Sequence, residues 1–308
     1  MTLQQLRYVV TIVNEGSISE AAKHLFLSQP SLSKAVKELE SEVGIEIFNR
    51  TSKGITLSSD GKEFLSYARQ VVEQAELLEM RYLDKTPSKQ LCSVSTQHYA
   101  FAVNAFVNLL KEMDSDEYEF TLRETRTYEI IEDVKNFHSE VGILYLNEFN
   151  EKVLRKILEE NRLVFHPLFR ADPHIFISSA HPLANEKSVT IGQLDAYPFL
   201  AFEQGDYNSF YFSEEILSTV PRKKVIHVSD RATLFNLLMG LNGYTICTGV
   251  LNGDLNGDDI ISVPIETQED MTVGWIENPR MHLGRFARAY IEELKRLIQE
   301  YGFEICKE

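Results

Sequence analysis

Gln29, Ser31, Ser33, Lys34 and Lys37 each carry a hydrogen-bond donor, and no acidic residue interrupts them until Glu38. Gln can grip adenine through paired bonds, Lys can reach guanine or a phosphate, and Ser suits base edges or phosphates alike. Gathered on one helix face, this set would offer a cationic surface to a DNA duplex. Further on, Arg50 and Lys53 flank a Gly-containing turn, where they could hold phosphates or enter a minor groove. Turnover chemistry is not apparent. The histidines His98, His138, His166, His174, His181, His227 and His282 are scattered, with no HExxH spacing, and no GxSxG, GxGxxG or Walker motif occurs. No catalytic residue, metal site or cofactor is therefore assigned. Cys92, Cys247 and Cys306 are few, odd in number and far apart, so they read as small buried hydrophobes rather than a disulfide framework.

The elements that must position the donor set can be read from apolar spacing. Leu3, Leu6, Val9, Val10 and Val13 recur at helical intervals, and Gly16 ends that helix. Ser17 and Glu20 predict a capping box, so a second, short helix starts at once, with Ala21 and Ala22 small enough for close crossing. Ser28 caps a third helix, Pro30 fits its first turn, and Leu32, Val36 and Leu39 form its buried stripe until Gly44. Two helices joined by a tight turn, the second polar at its start, make a helix-turn-helix whose second helix enters the major groove. Residues 45–50 and 51–57 then predict a hairpin, the wing beside that helix. The DNA-facing set is Gln29, Pro30, Ser31, Ser33, Lys34, Lys37, Arg50 and Lys53. A net charge of -15 opposes nucleic-acid binding on its face, but fields between exposed charges fade within about 10 Å at moderate salt, so local clustering decides.

The string Ser19-Glu20-Ala21-Ala22-Lys23-His24-Leu25, then Ser28-Gln29-Pro30-Ser31-Leu32-Ser33, Leu39-Glu40, Gly44, Phe48-Asn49-Arg50 and Leu57-Ser58-Ser59-Asp60-Gly61 resembles the LysR-type transcriptional regulators. Departures are mild: Ile47 stands where Leu is usual, and Ser58-Ser59-Asp60 replaces a common Thr-x-Ala. The resemblance implies an α+β N-terminal winged helix-turn-helix, a long linker helix, and a two-lobed α/β effector domain similar to type 2 periplasmic solute-binding proteins. It also implies sequence-specific binding to double-stranded promoter DNA, activation or repression controlled by a small-molecule effector, dimers that pair into tetramers, and RNA polymerase as a further partner.

Between residues 62 and 83 no Pro or Gly occurs, and Phe64, Ala68, Val71, Ala75, Leu78 and Tyr82 follow an a/d seam. Such a seam predicts self-pairing of the helix into a homodimer. Residues 85–89, with Pro87, read as a hinge. The predicted domains are 1–60 for DNA binding, 61–86 for the linker, and 90–308 for the effector domain, with lobe I at about 90–162 and 268–308 and lobe II at about 163–267.

Strands at 90–95, 119–124 and 141–145 alternate with helices at 99–113 and 128–137, which predicts parallel βαβ units. A second set has strands at 174–178, 199–202, 224–228 and 244–248 and a helix at 231–239. A strand at 270–276 and a C-terminal helix bearing Phe286, Tyr290, Leu294, Leu297 and Tyr301 cross back to the first lobe. Ligands of open α/β sheets sit at strand carboxyl ends against helix N-termini, so Ser95, Thr96, Gln97, Thr127, Tyr145, Phe202 and Ser229 are expected to line an interlobe cleft. Thr96-Gln97 is similar to sulfur-amino-acid regulators of the family, which implies a small anionic metabolite of that kind. The alternative is a solute-binding receptor that senses a small anion without promoter control. No apolar run nears the roughly 20 residues of a membrane span, and the first residues lack a cationic segment ahead of an apolar one, so a cytoplasmic, membrane-free protein is expected.

Overall fold

A computed structural model describes residues 1–51, 54–83, 90–113, 117–251 and 257–307. The chain divides into two units, Met1–Ser88 and Lys89–Glu308, each taken by itself below.

In the first unit the helices are α1 (Leu3–Glu15), α2 (Ile18–His24) and α3 (Gln29–Val43), followed by strands β1 (Phe48–Thr51) and β2 (Gly54–Leu57) and helix α4 (Ser59–Leu83). Gly16 and Gly44 take the left-handed conformation expected of C-caps. Ser17 Oγ accepts from Glu20 N at 3.0 Å. The predicted capping box is only half formed, because the Glu20 carboxylate turns instead to Lys23 Nζ at 2.8 Å. Ser28 Oγ accepts from Ser31 N at 3.2 Å. Val9, Ile12, Ala21, Leu32, Val36, Leu39, Ile47 and Leu65 close a shared core, in which fully burying one such aliphatic side chain contributes about 1.5–3 kcal/mol.

The wing is anchored from α3. Glu40 Oε1 accepts from Ile47 N at 2.8 Å and Phe48 N at 3.0 Å, fixing the chain as it enters β1. Strands β1 and β2 pair antiparallel, with Phe48 opposite Leu57. Ser58 Oγ then accepts from Gly61 N at 2.8 Å, and α4 starts at Ser59, shortly before the linker expected at 61–86. Gly61 is required by approach: a Cβ there would lie 2.0 Å from the Ile47 carbonyl oxygen.

The a/d seam of α4 is divided between a buried part and an exposed part. Phe64 and Ala68, with Val72, pack against Leu6 and Val10 of α1, and Arg7 pairs with Glu79 at 2.7 Å. Val71 at 49% and Leu78 at 60% are exposed, as is Tyr67, and Ala75 is half-buried. The expected hinge at 85–89 lies outside the described residues, and so does the side chain of Tyr82.

The second unit begins with β3 (Gln90–Thr96), α5 (Ala100–Glu112), β4 (Tyr118–Glu124), α6 (Thr127–Lys135), β5 (Val141–Leu146), α7 (Glu151–Glu160) and β6 (Val164–Ala171). It continues through β7 (His174–Ser178), the one-turn α8 (Ile191–Leu194), β8 (Phe199–Phe202), β9 (Val225–Val228), α9 (Arg231–Leu241), β10 (Thr245–Cys247), β11 (Ile260–Pro264), β12 (Met271–Glu277) and α10 (Arg285–Glu300). Lobe I holds a sheet in the order β4-β3-β5-β12-β6. Strands β3, β4 and β5 are parallel, as the alternation predicts, but β12 runs antiparallel to β5 and β6 because the chain returns from lobe II to fill that place. Lobe II holds the order β10-β7-β11, antiparallel throughout, with the parallel pair β8-β9 joined at its side through Leu200 N to Tyr244 O, 2.8 Å. The expected parallel βαβ units thus occur in lobe I beside an antiparallel β12, whereas the three-stranded sheet of lobe II is antiparallel. The helix α10 returns to α5 as expected: Tyr290 Oη donates to Ala102 O at 3.0 Å.

Four elements escape the sequence reading, the one-turn α8 among them. In α7, Leu154 and Leu158 are buried at helical spacing. Strand β6 is disguised by Pro167, which it tolerates because it is the sheet's edge. Strand β11 follows residues 252–256, outside the described set.

Candidate DNA interface and interlobe cleft

The donor set is displayed as its spacing predicts. Gln29, Pro30, Ser31, Lys34 and Lys37 are exposed and Ser33 is half-buried, while Leu32, Val36 and Leu39 point into the core. Helical periodicity alone produces that segregation. Lys34 Nζ lies 3.7 Å from Glu38, a surface pair that bulk water keeps weak. Arg50 lies on β1, but its side chain is outside the described set, and so is Lys53 altogether. One exposed residue of the helix-turn-helix was not anticipated. Phe26, in the turn between α2 and α3, is 96% exposed with φ at +54°. It sits there because Phe26 N bonds Lys23 O and Leu27 N bonds Ala22 O, closing the end of α2. A large aromatic between Leu25 and Leu27, off the apolar stripe, was the available signal.

Of the expected cleft residues, Gln97, Thr127 and Tyr145 meet one another, and several of the set are engaged within the protein. Ser95 Oγ turns to Asp133 Oδ2 at 2.7 Å and Ser139 Oγ at 2.8 Å, within a network closed by Arg123. Thr96 Oγ1 donates to Gln97 O. Gln97 is fully buried: its Nε2 donates to Thr127 Oγ1 at 2.6 Å, and its Oε1 accepts from Tyr99 Oη at 3.0 Å and Tyr145 N at 3.1 Å. Thr127 Oγ1 donates to Phe212 O and Tyr145 Oη to Ser213 O. Ser229 is exposed, next to Asp230, whose carboxylate caps α9.

Residues 203–216 pack against these expected cleft residues. Glu214 Oε2 accepts from His98 N at 2.9 Å and lies 2.9 Å from His98 Nδ1. A carboxylate there satisfies donors ahead of α5, the location at which a helix N-terminus favours anions. The His98 ring stacks on Phe202 with centroids 3.8 Å apart. Burial alone would pull the His98 pKa down, but the Glu214 charge and hydrogen bond, with Glu124, outweigh it and raise it. The neighbouring Glu215 is 1% exposed; Oε1 accepts from Phe202 N, and Oε2 has no partner. Burial, then repulsion from Glu214, pushes its pKa well up, so its proton is retained far above the usual carboxylate range.

Besides the His98–Glu214 contact, the lobes are joined by ion pairs of Arg231 Nε with Glu124 Oε1 at 3.1 Å and of Arg126 with Glu203. The space left beside His98, Phe202 and Arg231 is about 30 Å³, room for about two waters. An organic effector therefore requires the lobes to part or residues 203–216 to withdraw. Sequence reasoning missed His98, Glu214 and Arg231 because the contact from His98 to Glu214 spans 116 positions.

Among the described residues no group of His, Cys, Asp or Glu is arranged to hold a metal, and no helix is long and apolar enough to cross a membrane.

Comparison with known proteins agrees with both units. Residues 3–62 match the model of the bacterial regulatory helix-turn-helix proteins of the lysR family, and residues 98–299 match the LysR substrate binding domain. The uncharacterized HTH-type transcriptional regulator YnfL of Escherichia coli (strain K12) is 26% identical over 289 residues, 91% of this chain and 93% of its own. The Hca operon transcriptional activator HcaR of the same organism is 28% identical over 281 residues, covering 86% and 87%. Among solved structures, an OxyR C206 mutant of Corynebacterium glutamicum is similar in fold, with a TM-score of 0.51 at 18% identity over 97% of this chain and 93% of its own. Full-length CbnR complexed with its target DNA has a TM-score of 0.50 at 18% identity, covering 96% of this chain and all of its own. With both the DNA-binding module and the effector domain matched along one chain, this protein belongs to the LysR family of DNA-binding transcriptional regulators and is not an enzyme.

Proposed function

We propose that a homodimer, formed through the exposed stripe Tyr67, Val71 and Leu78 of α4 and paired again into a homotetramer, sets two α3 helices into successive major grooves of promoter DNA. Gln29, Ser31, Ser33 and Lys34 read or flank base edges, Pro30 starts the helix, and Lys37, Arg50 and Lys53 hold phosphates. The observation that carries this reading is the exposed, acid-free donor face from Ser28 to Lys37 in a chain of net charge -15. A dyad supplies two such faces at one spacing, as paired half-sites demand.

Effector control follows from the cleft. A ligand that binds better when Glu214 has left His98 shifts the population toward open lobes, and only by its difference in affinity for the two states. The effector class inferred from Thr96-Gln97, a small sulfur-amino-acid-type anion, would have to displace Glu214 from the start of α5. RNA polymerase is the expected downstream partner, and the cytoplasm the expected compartment. A receptor without promoter control is disfavoured, since the helix-turn-helix match covers residues 3–62.

The test is a gel shift and footprint on the DNA upstream of the protein's own gene, at low and high salt, followed by sedimentation. Salt-sensitive protection of two half-sites by a dimer or tetramer is expected. No protection at low ionic strength, or a monomer throughout, overturns the proposal.

A further inference from the structure

Between β8 and β9 the chain leaves lobe II and runs along lobe I as a strap. Phe212, 8% exposed, is buried at its centre. Every other buried residue of the apolar cluster around this ring comes from lobe I, among them Ile130 and Val134 of α6, Leu144 and Leu146 of β5 and Ile276 of β12. Lobe II thus supplies one side chain to the core of its neighbour. Two ring stacks repeat the contact: Tyr207 lies on Tyr128 with centroids 3.5 Å apart, and Tyr211 on Phe149 at 4.8 Å. Side chains and backbone bond as well. Thr127 N donates to Gln204 Oε1 at 3.2 Å, Thr127 Oγ1 to Phe212 O at 2.8 Å and Tyr145 Oη to Ser213 O at 3.1 Å.

Toward its own lobe the strap is loosely packed. A cavity of about 420 Å³ is lined by Asn208, Ser209 and Phe210 of the strap together with Ala201, Val225 and His227 of β8 and β9. Packed interiors leave few voids larger than a water molecule, so the strap is fitted to lobe I and not to the lobe from which it comes. Both of its ends have left-handed backbone, Gly205 at φ +58° and Leu217 at φ +61°. Gly205 adopts it freely, and its bare backbone lets Arg126 lie where a Cβ would stand 2.7 Å from Nη1. Leu217 is strained there, because a Cβ crowds the carbonyl that follows it, and release of the segment relieves that strain.

We propose that residues 205–217 are a latch between the lobes, docked into lobe I by Phe212 and hinged at Gly205 and Leu217. Docked, it holds the lobes closed. Undocked, it folds back into the cavity behind it, and the lobes part. Glu214 stands two residues beyond Phe212, so its contact with His98 breaks in the same motion. The inference rests on the reading of the cleft as an effector site and assigns the step that an effector must drive: withdrawal of one aromatic ring from lobe I. A hinged segment of this kind turns a small event in the cleft into a change between two discrete arrangements.

The experiment uses the full chain with no ligand added. Hydrogen exchange reports the strap. Labelling of Cys247 by N-ethylmaleimide, read by peptide mass spectrometry, reports the cleft, because Cys247 lines the same narrow space as His98 and Glu215. Phe212→Ala is expected to speed both the exchange of residues 206–213 and the labelling of Cys247 by about tenfold or more, whereas Phe212→Leu keeps both near the parent values. Should Phe212→Ala fail to fold, Tyr207→Ser combined with Tyr211→Ser carries the test, since both rings are exposed and their loss leaves the core of lobe I intact. That variant is expected to accelerate both readouts by about threefold or more. Unchanged exchange in the strap, or unchanged Cys247 labelling once the strap exchanges freely, overturns the proposal. So does acceleration spread equally over α6 and β5, which would make Phe212 an ordinary core residue. None of these readouts uses DNA or an effector, so their failure leaves the regulator reading standing.

Discussion

The carboxylate of Glu214 meets both the backbone N–H and the ring of His98, each at 2.9 Å, so the chain supplies its own anion to the start of α5. In Glu214→Ala the buried imidazole and N–H lose their acceptor. A loss of about 1–3 kcal/mol is expected, measured by denaturant unfolding, together with a wider lobe separation by small-angle scattering. An unchanged scattering profile would show that Glu214 does not close the cleft.

The same contact sets a pH dependence. The His98 pKa is raised in the fold, above a value near 6.5 in the unfolded chain. Its contribution is therefore complete below about pH 6.5 and is lost as pH climbs through the raised value. Glu214, Glu124 and Arg231 face the ring; buried Glu124 and Glu215, also raised, weaken the fold in the same direction from about pH 4.5 upward. Melting temperature should fall from pH 6 to pH 8, and His98→Gln should flatten the part of that slope above about pH 6.5. An identical slope in the variant would remove His98 from the account.

Phe26 offers a separation of stability from recognition. A bulky residue with φ at +54° is strained, by about 1–2 kcal/mol, whereas Asn tolerates that region. Phe26→Asn should unfold at higher denaturant yet bind promoter DNA more weakly, as a gel shift would report. Stabilisation with unchanged affinity would mean the ring does not touch DNA.

Lys34→Ala should weaken promoter binding by about 1–3 kcal/mol if Lys34 pairs with a base. Titrations at several salt concentrations distinguish the roles. A base contact lowers affinity for the specific site alone, whereas a phosphate contact lowers the salt slope by about 1 on every sequence.

Val71→Glu together with Leu78→Glu places charge in the exposed stripe of α4 without touching Ala68 and Val72, which pack on α1. Sedimentation should report monomers, and promoter affinity should fall at least tenfold, because two half-sites are then no longer held by one particle.

The helix-turn-helix was legible because its signals are local. Gly16 and Gly44 stop helices, Ser17 and Ser28 cap them, and the period of Leu32, Val36 and Leu39 leaves Gln29, Ser31 and Lys34 outward. Each depends on neighbours within about one helical turn. The alternation of strands and helices likewise placed the lobe I crossovers, and the apolar face of the last helix marked its return to α5.

What tertiary structure decided depends on contacts remote in sequence. The seam of α4 reads as one surface, but packing on α1 claims Phe64 and Ala68 and leaves Val71 and Leu78 exposed. Gln97 and Thr127 have the polarity of ligand-binding residues, but Tyr99, Tyr145, Phe212 and Gln204 already use their hydrogen bonds. Glu214 on His98 could not be foreseen. A side chain's charge is written in the sequence, whereas its partner, or the lack of one, is settled only when distant segments meet.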